Sequence, residues 1–102
     1  MPDLPELDQV VHGQLRLAVL SILSTVEKAD FTYLRDRTNS TDGNIAAHLL
    51  KLEQAGYISV EKTFLNRKPM SIYRLTSAGR TALTNYIRNL KKLLGAEFNK
   101  QK

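Results

Sequence analysis

The chain of 102 residues has no cysteine, which excludes a disulfide scaffold, a thiolate metal site and cysteine chemistry of any kind. No apolar run approaches the roughly 18 residues needed to cross a bilayer. Histidine is scarce: only His12 and His48 are present. Asp8 and His12 have the i,i+4 spacing of one helix face, but two ligands do not make a metal site, and no further His or Cys is near. We therefore expect no metal and no cofactor. There is no Gly-x-Ser-x-Gly, no Gly-rich phosphate loop and no carboxylate pair placed for acid–base work, so no enzyme is expected. Glu53 and Glu61 read as ordinary solvated acids. The start, Met1-Pro2-Asp3-Leu4-Pro5-Glu6, is acidic where a secretory signal is basic and then apolar. These absences leave a small soluble domain, expected to be cytoplasmic and to form one unit over residues 1–102.

What is present is an uneven charge. Fifteen basic against ten acidic side chains give a net charge of +5. Residues 1–50 hold four basic and seven acidic groups, whereas residues 51–102 hold eleven basic groups and only Glu53, Glu61 and Glu97 as acids. A basic half of this kind concentrates polyanions and steers their encounter.

Hydrophobic spacing divides the chain into elements. Leu4, Leu7, Val10 and Val11 predict a short helix over 4–12, with Pro5 in its first turn. Leu15, Ala18, Val19, Ile22, Leu23 and Val26 recur at three and four, the stripe of a buried helix that Leu17 and Leu20 widen. A short helix from Phe31 to Arg37 follows, with Asp30 as its N-cap. The polar turn Thr38-Asn39-Ser40-Thr41 then leads to a helix from Asp42 to about Ala55, its core side at Ile45, Leu49 and Leu52 and its stop at Gly56. The period changes to two in Tyr57–Thr63 and again in Ser71–Thr76, predicting a hairpin whose tip is Phe64–Met70. Thr76 or Ser77 opens a last helix, 77–95, that Gly95 should end. The expected architecture is mainly α, with a two-stranded hairpin before a long final helix.

A helix fits the B-DNA major groove, where its N-terminal residues reach base edges. Asn44, Ala47, His48 and Lys51 lie opposite Ile45, Leu49 and Leu52. Asn44 suits a base edge, small Ala47 permits close approach, and Lys51 suits a phosphate. Ser40, Thr41 and the free N–H groups of the helix start suit another phosphate. Thr41 to Leu49, followed by Leu52-Glu53-Gln54-Ala55-Gly56-Tyr57-Ile58, resembles the recognition segment of winged helix-turn-helix transcriptional regulators. Leu75-Thr76-Ser77-Ala78-Gly79-Arg80 is similar to the segment after the wing in those proteins, the small single-domain MarR/ArsR-like group in particular. The resemblance spans residues 12 to 94. It implies a homodimer on double-stranded DNA with a palindromic operator, third helices in successive major grooves and wings on the backbone or minor groove. Carried over by position, Thr41, Asn44, Ala47, His48 and Lys51 read the groove, and Lys62, Asn66, Arg67 and Lys68 form the wing contact. Leu50 departs from the pattern, being apolar where such proteins are polar, and is expected to pack on the wing or the short helix. Tyr33 is expected to be exposed, and Phe64 to anchor the hairpin.

Leu83, Tyr86, Ile87, Leu90, Leu93 and Leu94 form a stripe too long for one small core, so a partner helix is the expected cover. Leu7, Val10 and Val11 are expected to add a second strip to that dimer interface. Repression is the expected consequence of occupancy, and a small-molecule effector cannot be read from the residues. The competing class is a winged-helix protein-interaction module without specific DNA binding, since a fold does not fix a function.

Overall fold

The computed structural model describes residues 6–99, with side chains to Gly95. Four helices and three strands follow in the order α1 (Gln14–Thr25), β1 (Ala29–Asp30), α2 (Phe31–Arg37), α3 (Asp42–Gln54), β2 (Ile58–Leu65), β3 (Lys68–Leu75) and α4 (Ser77–Asn99). The sheet is antiparallel, with β3 between β1 and β2. Two-residue β1 has no periodicity to betray it, which is why a two-stranded hairpin was expected and a three-stranded sheet is found.

The helix ends are closed as the residue types require. Asp30 Oδ1 accepts from the Tyr33 N–H at 2.7 Å, and Thr41 Oγ1 from that of Asn44 at 3.2 Å. The α2–α3 turn is set by Asn39 at φ 53°, with Ser40 N–H bonded to Arg35 C=O and Asn39 N–H to Asp36 C=O. The same pair of bonds ends α3, where Gly56 at φ 79° lets Tyr57 N–H reach Leu52 C=O.

The core lies where α1, α3, α4 and the sheet meet. Leu20, Leu34, Ile45 and Leu52 are fully buried, and Leu23 and Leu49 nearly so. Each such side chain contributes about 1.5–3 kcal/mol by leaving water. Val19, Leu20 and Leu23 are the buried positions of α1, and Ile45, Leu49 and Leu52 those of α3. Thr76 ties the end of α3 to the start of α4. Its hydroxyl donates to Gly56 C=O at 2.6 Å and accepts from Gly79 N–H at 3.0 Å, while its own N–H reaches Tyr57 C=O.

Two expectations for the chain ends need correction. Leu4 and Pro5 lie outside the described residues, but 6–12 is a strap and not a helix. Asp8 Oδ1 captures the N–H groups of Val10 and Val11, and Arg16 captures the carbonyls of Gln9, Val10 and His12. Local side-chain bonds thereby replace the helical ladder. At the other end α4 runs through Gly95 to Asn99, because glycine costs a helix only about 1 kcal/mol and Gly95 is not in the left-handed region.

The predicted dimer strip divides accordingly. Val11 (0% exposed), Leu83 (6%) and Tyr86 (4%) belong to the chain's own core, so they are not available as an outer surface. Leu7 and Val10 are half-buried against the same core. Leu90 also packs partly on that core, so the domain covers one side of α4 that far, and the apolar surface left over begins at Ile87.

Gly79 sits against Tyr57 C=O with no room for a side chain. A methyl there would overlap that oxygen and press on Leu75 Cδ1 at 2.8 Å. Gly79→Ala should therefore lower stability by at least about 1–3 kcal/mol through overpacking, read as an earlier urea midpoint. An unchanged midpoint would show that α4 can move off the α3 terminus at no cost.

Candidate nucleic-acid interface

Burial of Ile45, Leu49 and Leu52 turns the opposite side of α3 outward. Thr41, Asn44, Ala47 and Lys51 are exposed there, and Leu50 is exposed as well, at 52%. Leu50 thus does not pack on the wing or on α2. Ser40 is half-buried, its hydroxyl 2.7 Å from that of Thr38, where it stiffens the turn. Ser40, Thr41 and Asn44 line one cleft of about 530 Å³ together with Gln14, Arg37 and Asn39. Gln14 and Arg37 join this cleft only through the crossing of α1 and α2 with α3, and sequence spacing carries no sign of them.

His48 is half-buried and turned toward α1, where Arg16 Nη1 donates to its Nδ1 at 3.0 Å. It shares a helix side with Asn44 and Lys51 but is held by the chain's own guanidinium. Burial first, then the positive charges of Arg16 and Lys51, push the His48 pKa down.

The hairpin closes two residues later than its period suggested. Leu65 still pairs with Lys68, so only Asn66 and Arg67 form the tip, at φ 54° and 67°. Such a two-residue turn favours glycine at its second position. Arginine there is strained, and strain retained at a tip that carries charge points to use of that charge. Lys62 donates to Ser71 Oγ at 3.3 Å, and Asn66, Arg67 and Lys68 are exposed. Phe64 is 73% exposed, so it does not anchor the hairpin.

Most nearby acids are engaged elsewhere, Glu53 on α3 being exposed and unpaired among the described residues. Asp30 caps α2, while Asp36 and Asp42 share Arg35, at 3.0 and 2.9 Å. Glu61 pairs with Arg74 across the sheet at 2.9 Å. Among the described residues, no carboxylate lies within ion-pair distance of Lys51, Lys62, Arg67 or Lys68. The cations of the wing and of the outer side of α3 therefore have no carboxylate partner among the described residues, and the front acid of α3 is paired with Arg35, which Asp36 shares. Tyr33 is 40% exposed as expected, with Arg37 donating to its hydroxyl at 2.7 Å and lying over its ring.

Asp8 and His12, the candidate metal pair, face different tyrosines. Asp8 Oδ2 accepts from the Tyr57 hydroxyl, and His12 Nδ1 lies 2.9 Å from that of Tyr86. Among the described residues, no group of three or more metal-ligating side chains occurs, and no helix is long and apolar enough to cross a membrane.

Burial alone would raise the Asp8 pKa, but the Tyr57 hydroxyl and the N–H groups of Val10 and Val11 outweigh it and hold the carboxyl below its ordinary range. A depressed carboxyl stabilises the fold above its unfolded pKa near 3.9, and that contribution is lost as pH falls through the folded value. The depressed His48 works in the same direction, weakening the fold as pH falls from about 6.5. Acidification should thus destabilise the protein in two stages. Tyr57→Phe should cost about 1 kcal/mol at neutral pH and raise the Asp8 pKa. Carboxyl titration by NMR checks this, and an unmoved Asp8 would mean that its backbone bonds suffice.

The family model of the winged helix DNA-binding domain matches residues 15–94. The chain is 33% identical over 85 residues to an uncharacterized protein of Methanocaldococcus jannaschii, covering 83% of this chain and 92% of that one. Its fold is similar to a transcriptional regulator homologue from Pyrococcus horikoshii, with TM-score 0.80, 22% identity, and coverage of 87% and 88% of the two chains. It is also similar to a putative transcriptional regulator from Thermoplasma acidophilum, with TM-score 0.71, 18% identity, and coverage of 92% and 94%. A MarR-like regulator from Thermotoga maritima shares the fold at TM-score 0.61 and 17% identity, over 95% of this chain and 69% of that one. With its helix-turn-helix, three-stranded sheet and exposed basic hairpin, the chain belongs to the winged helix DNA-binding domain family.

Proposed function

We propose that this protein is a homodimeric, sequence-specific regulator of transcription, one winged-helix unit per chain, acting as a cytoplasmic repressor by occupying a palindromic operator. The observation that carries the reading is the charge on the exposed face: cations at Lys51, Lys62, Arg67 and Lys68 with no carboxylate partner among the described residues, and the front acid Asp42 paired with Arg35. In this reading Asn44 and Ala47 face base edges, Thr41, Ser40 and Lys51 face phosphates, and the Asn66–Lys68 tip lies on the neighbouring backbone or minor groove. His48 contributes through its bond to Arg16, which fixes the side of α3 that it occupies.

The dimer rests on the far half of α4. Ile87 and Leu94 are 42% and 45% exposed, with half-buried Leu90 and Leu93 beside them. The domain measures 60 Å along its longest axis against 25 and 21 Å, so little of its own body is at hand to cover that stripe. A twofold partner helix supplies the cover. Exposed Leu50 on α3 favours the competing reading, a protein-interaction module, because an apolar side chain amid a groove-reading face suits a protein contact better than a phosphate.

Titration against a random duplex library at several salt concentrations separates the two, and an enriched palindrome is expected. Arg67→Ala with Lys68→Ala should weaken binding to all sequences and reduce the salt slope by about two. Asn44→Ala should lose discrimination at particular base pairs, and equal loss on specific and random duplexes would remove Asn44 from base reading. Leu90→Asp should give a monomer by light scattering, with a steep fall in affinity as half of the phosphate contacts go. A library with no enriched sequence would leave the interaction-module reading standing.

A further inference from the structure

β1 pairs only with Tyr73 and Ile72 of β3, so beyond Ile72 the hairpin is a free two-stranded ribbon. Its end carries Phe64 at 73% and Leu65 at 55% exposure, the two most exposed large hydrophobic side chains of the described residues. The register sets Phe64 opposite Pro69 on one face of the ribbon, and Leu65 opposite Lys68 on the other. Single exposed hydrophobics are ordinary on protein surfaces. These two are adjacent and precede the strained Asn66-Arg67 turn, but Leu65 faces a cleft toward α2 that Phe31 and Thr32 also line, which leaves Phe64 as the outward one.

Charge identifies the occupant. From Lys62 to Ser71 there are three basic side chains, Lys62, Arg67 and Lys68, and no acidic one, whereas Arg74 at the base of the hairpin is paired with Glu61. An apolar tip ringed by cations suits a surface with anions at its rim and an uncharged floor. The minor groove of duplex DNA has that arrangement, with phosphates on both walls and sugars and base edges between them. Proteins that bind there often insert an apolar side chain into a base step. We propose, resting on the reading that this chain binds duplex DNA, that Phe64 is a minor-groove wedge that partly unstacks one base step while Arg67 and Lys68 hold the flanking phosphates. Pro69 is its register partner on the paired strand. Pyrimidine–purine steps unstack most readily, so the site under each wing should favour TA or CA.

The test uses the full chain and a duplex selected from the random library, with 2-aminopurine replacing each flanking adenine in turn. The protein has no tryptophan, so the base analogue is read without a strong competing signal. Wild type should raise the fluorescence at one step per half-site. Phe64→Leu should keep much of that rise. Phe64→Ala should abolish it and weaken binding about tenfold, within the range of one aromatic–base contact, with the salt slope unchanged. Saturation by wild type with no fluorescence change at any position overturns the wedge, and so does a full rise with Phe64→Ala. Dissociation of the dimer by Phe64→Ala, seen in sedimentation velocity, would reassign the tip to a contact between copies and overturn it too. Failure of wild type to saturate any duplex is a different result, since it removes the DNA-binding reading on which the wedge rests.

Discussion

The packing of Ile45, Leu49 and Leu52 into the groove beside α1 governs the rest of the molecule. Those three side chains are buried to within 2%, and a helix has only one rotation that buries all three. With that rotation set, Asn44, Ala47 and Lys51 have nowhere to go but outward. The turn before α3 holds the rotation through backbone bonds at Asn39 and Ser40 and the Thr41 cap. The turn after it does so through Gly56 and Thr76. The exposed face of α3 is thus a consequence of core burial, held at both ends by polar bonds that leave few backbone groups unsatisfied.

Electrostatics act on top of that scaffold. The first half of the chain is acidic, which would repel a polyanion if its carboxylates faced the same way as Lys51 and the wing. Four of the seven are instead engaged by the chain itself: Asp30 as a cap, Asp36 and Asp42 on Arg35, Asp8 on Tyr57 and the strap. Exposed ion pairs of this type add little to stability. Their effect here is on the field, because Arg35 offsets part of the negative charge beside a surface whose cations have no carboxylate partner among the described residues. Arg16 works on the same side of α3 as Lys51, gathering three strap carbonyls and His48 around one guanidinium.

Helix α4 serves two covers along one stripe. Ala82, Leu83 and Tyr86 complete the domain's own core, whereas Ile87 and Leu94 lie outside it. A continuous apolar period in the sequence thereby hides a change of environment after the third turn. The same loss of information affects the strap, where Leu7, Val10 and Val11 have helical spacing. Asp8 and Arg16 claim the backbone groups that a helix needs.

Periodicity, caps and turn residues determined by themselves the four helices, the hairpin, the outward side of α3 and the basic wing, because each depends on contacts between near neighbours in the chain. Gly56 and Asp30 could be assigned on chemistry alone. The third strand, the pairing of Asp42 with Arg35, the capture of His48 by Arg16, the closeness of Gly79 to Tyr57 and the exposure of Phe64 were decided by the tertiary structure. Each of these joins or separates segments distant in sequence, and no local pattern encodes which of two chemically suitable partners will meet. A short-range rule sees which side of an element is apolar. Only the packed chain shows what covers it.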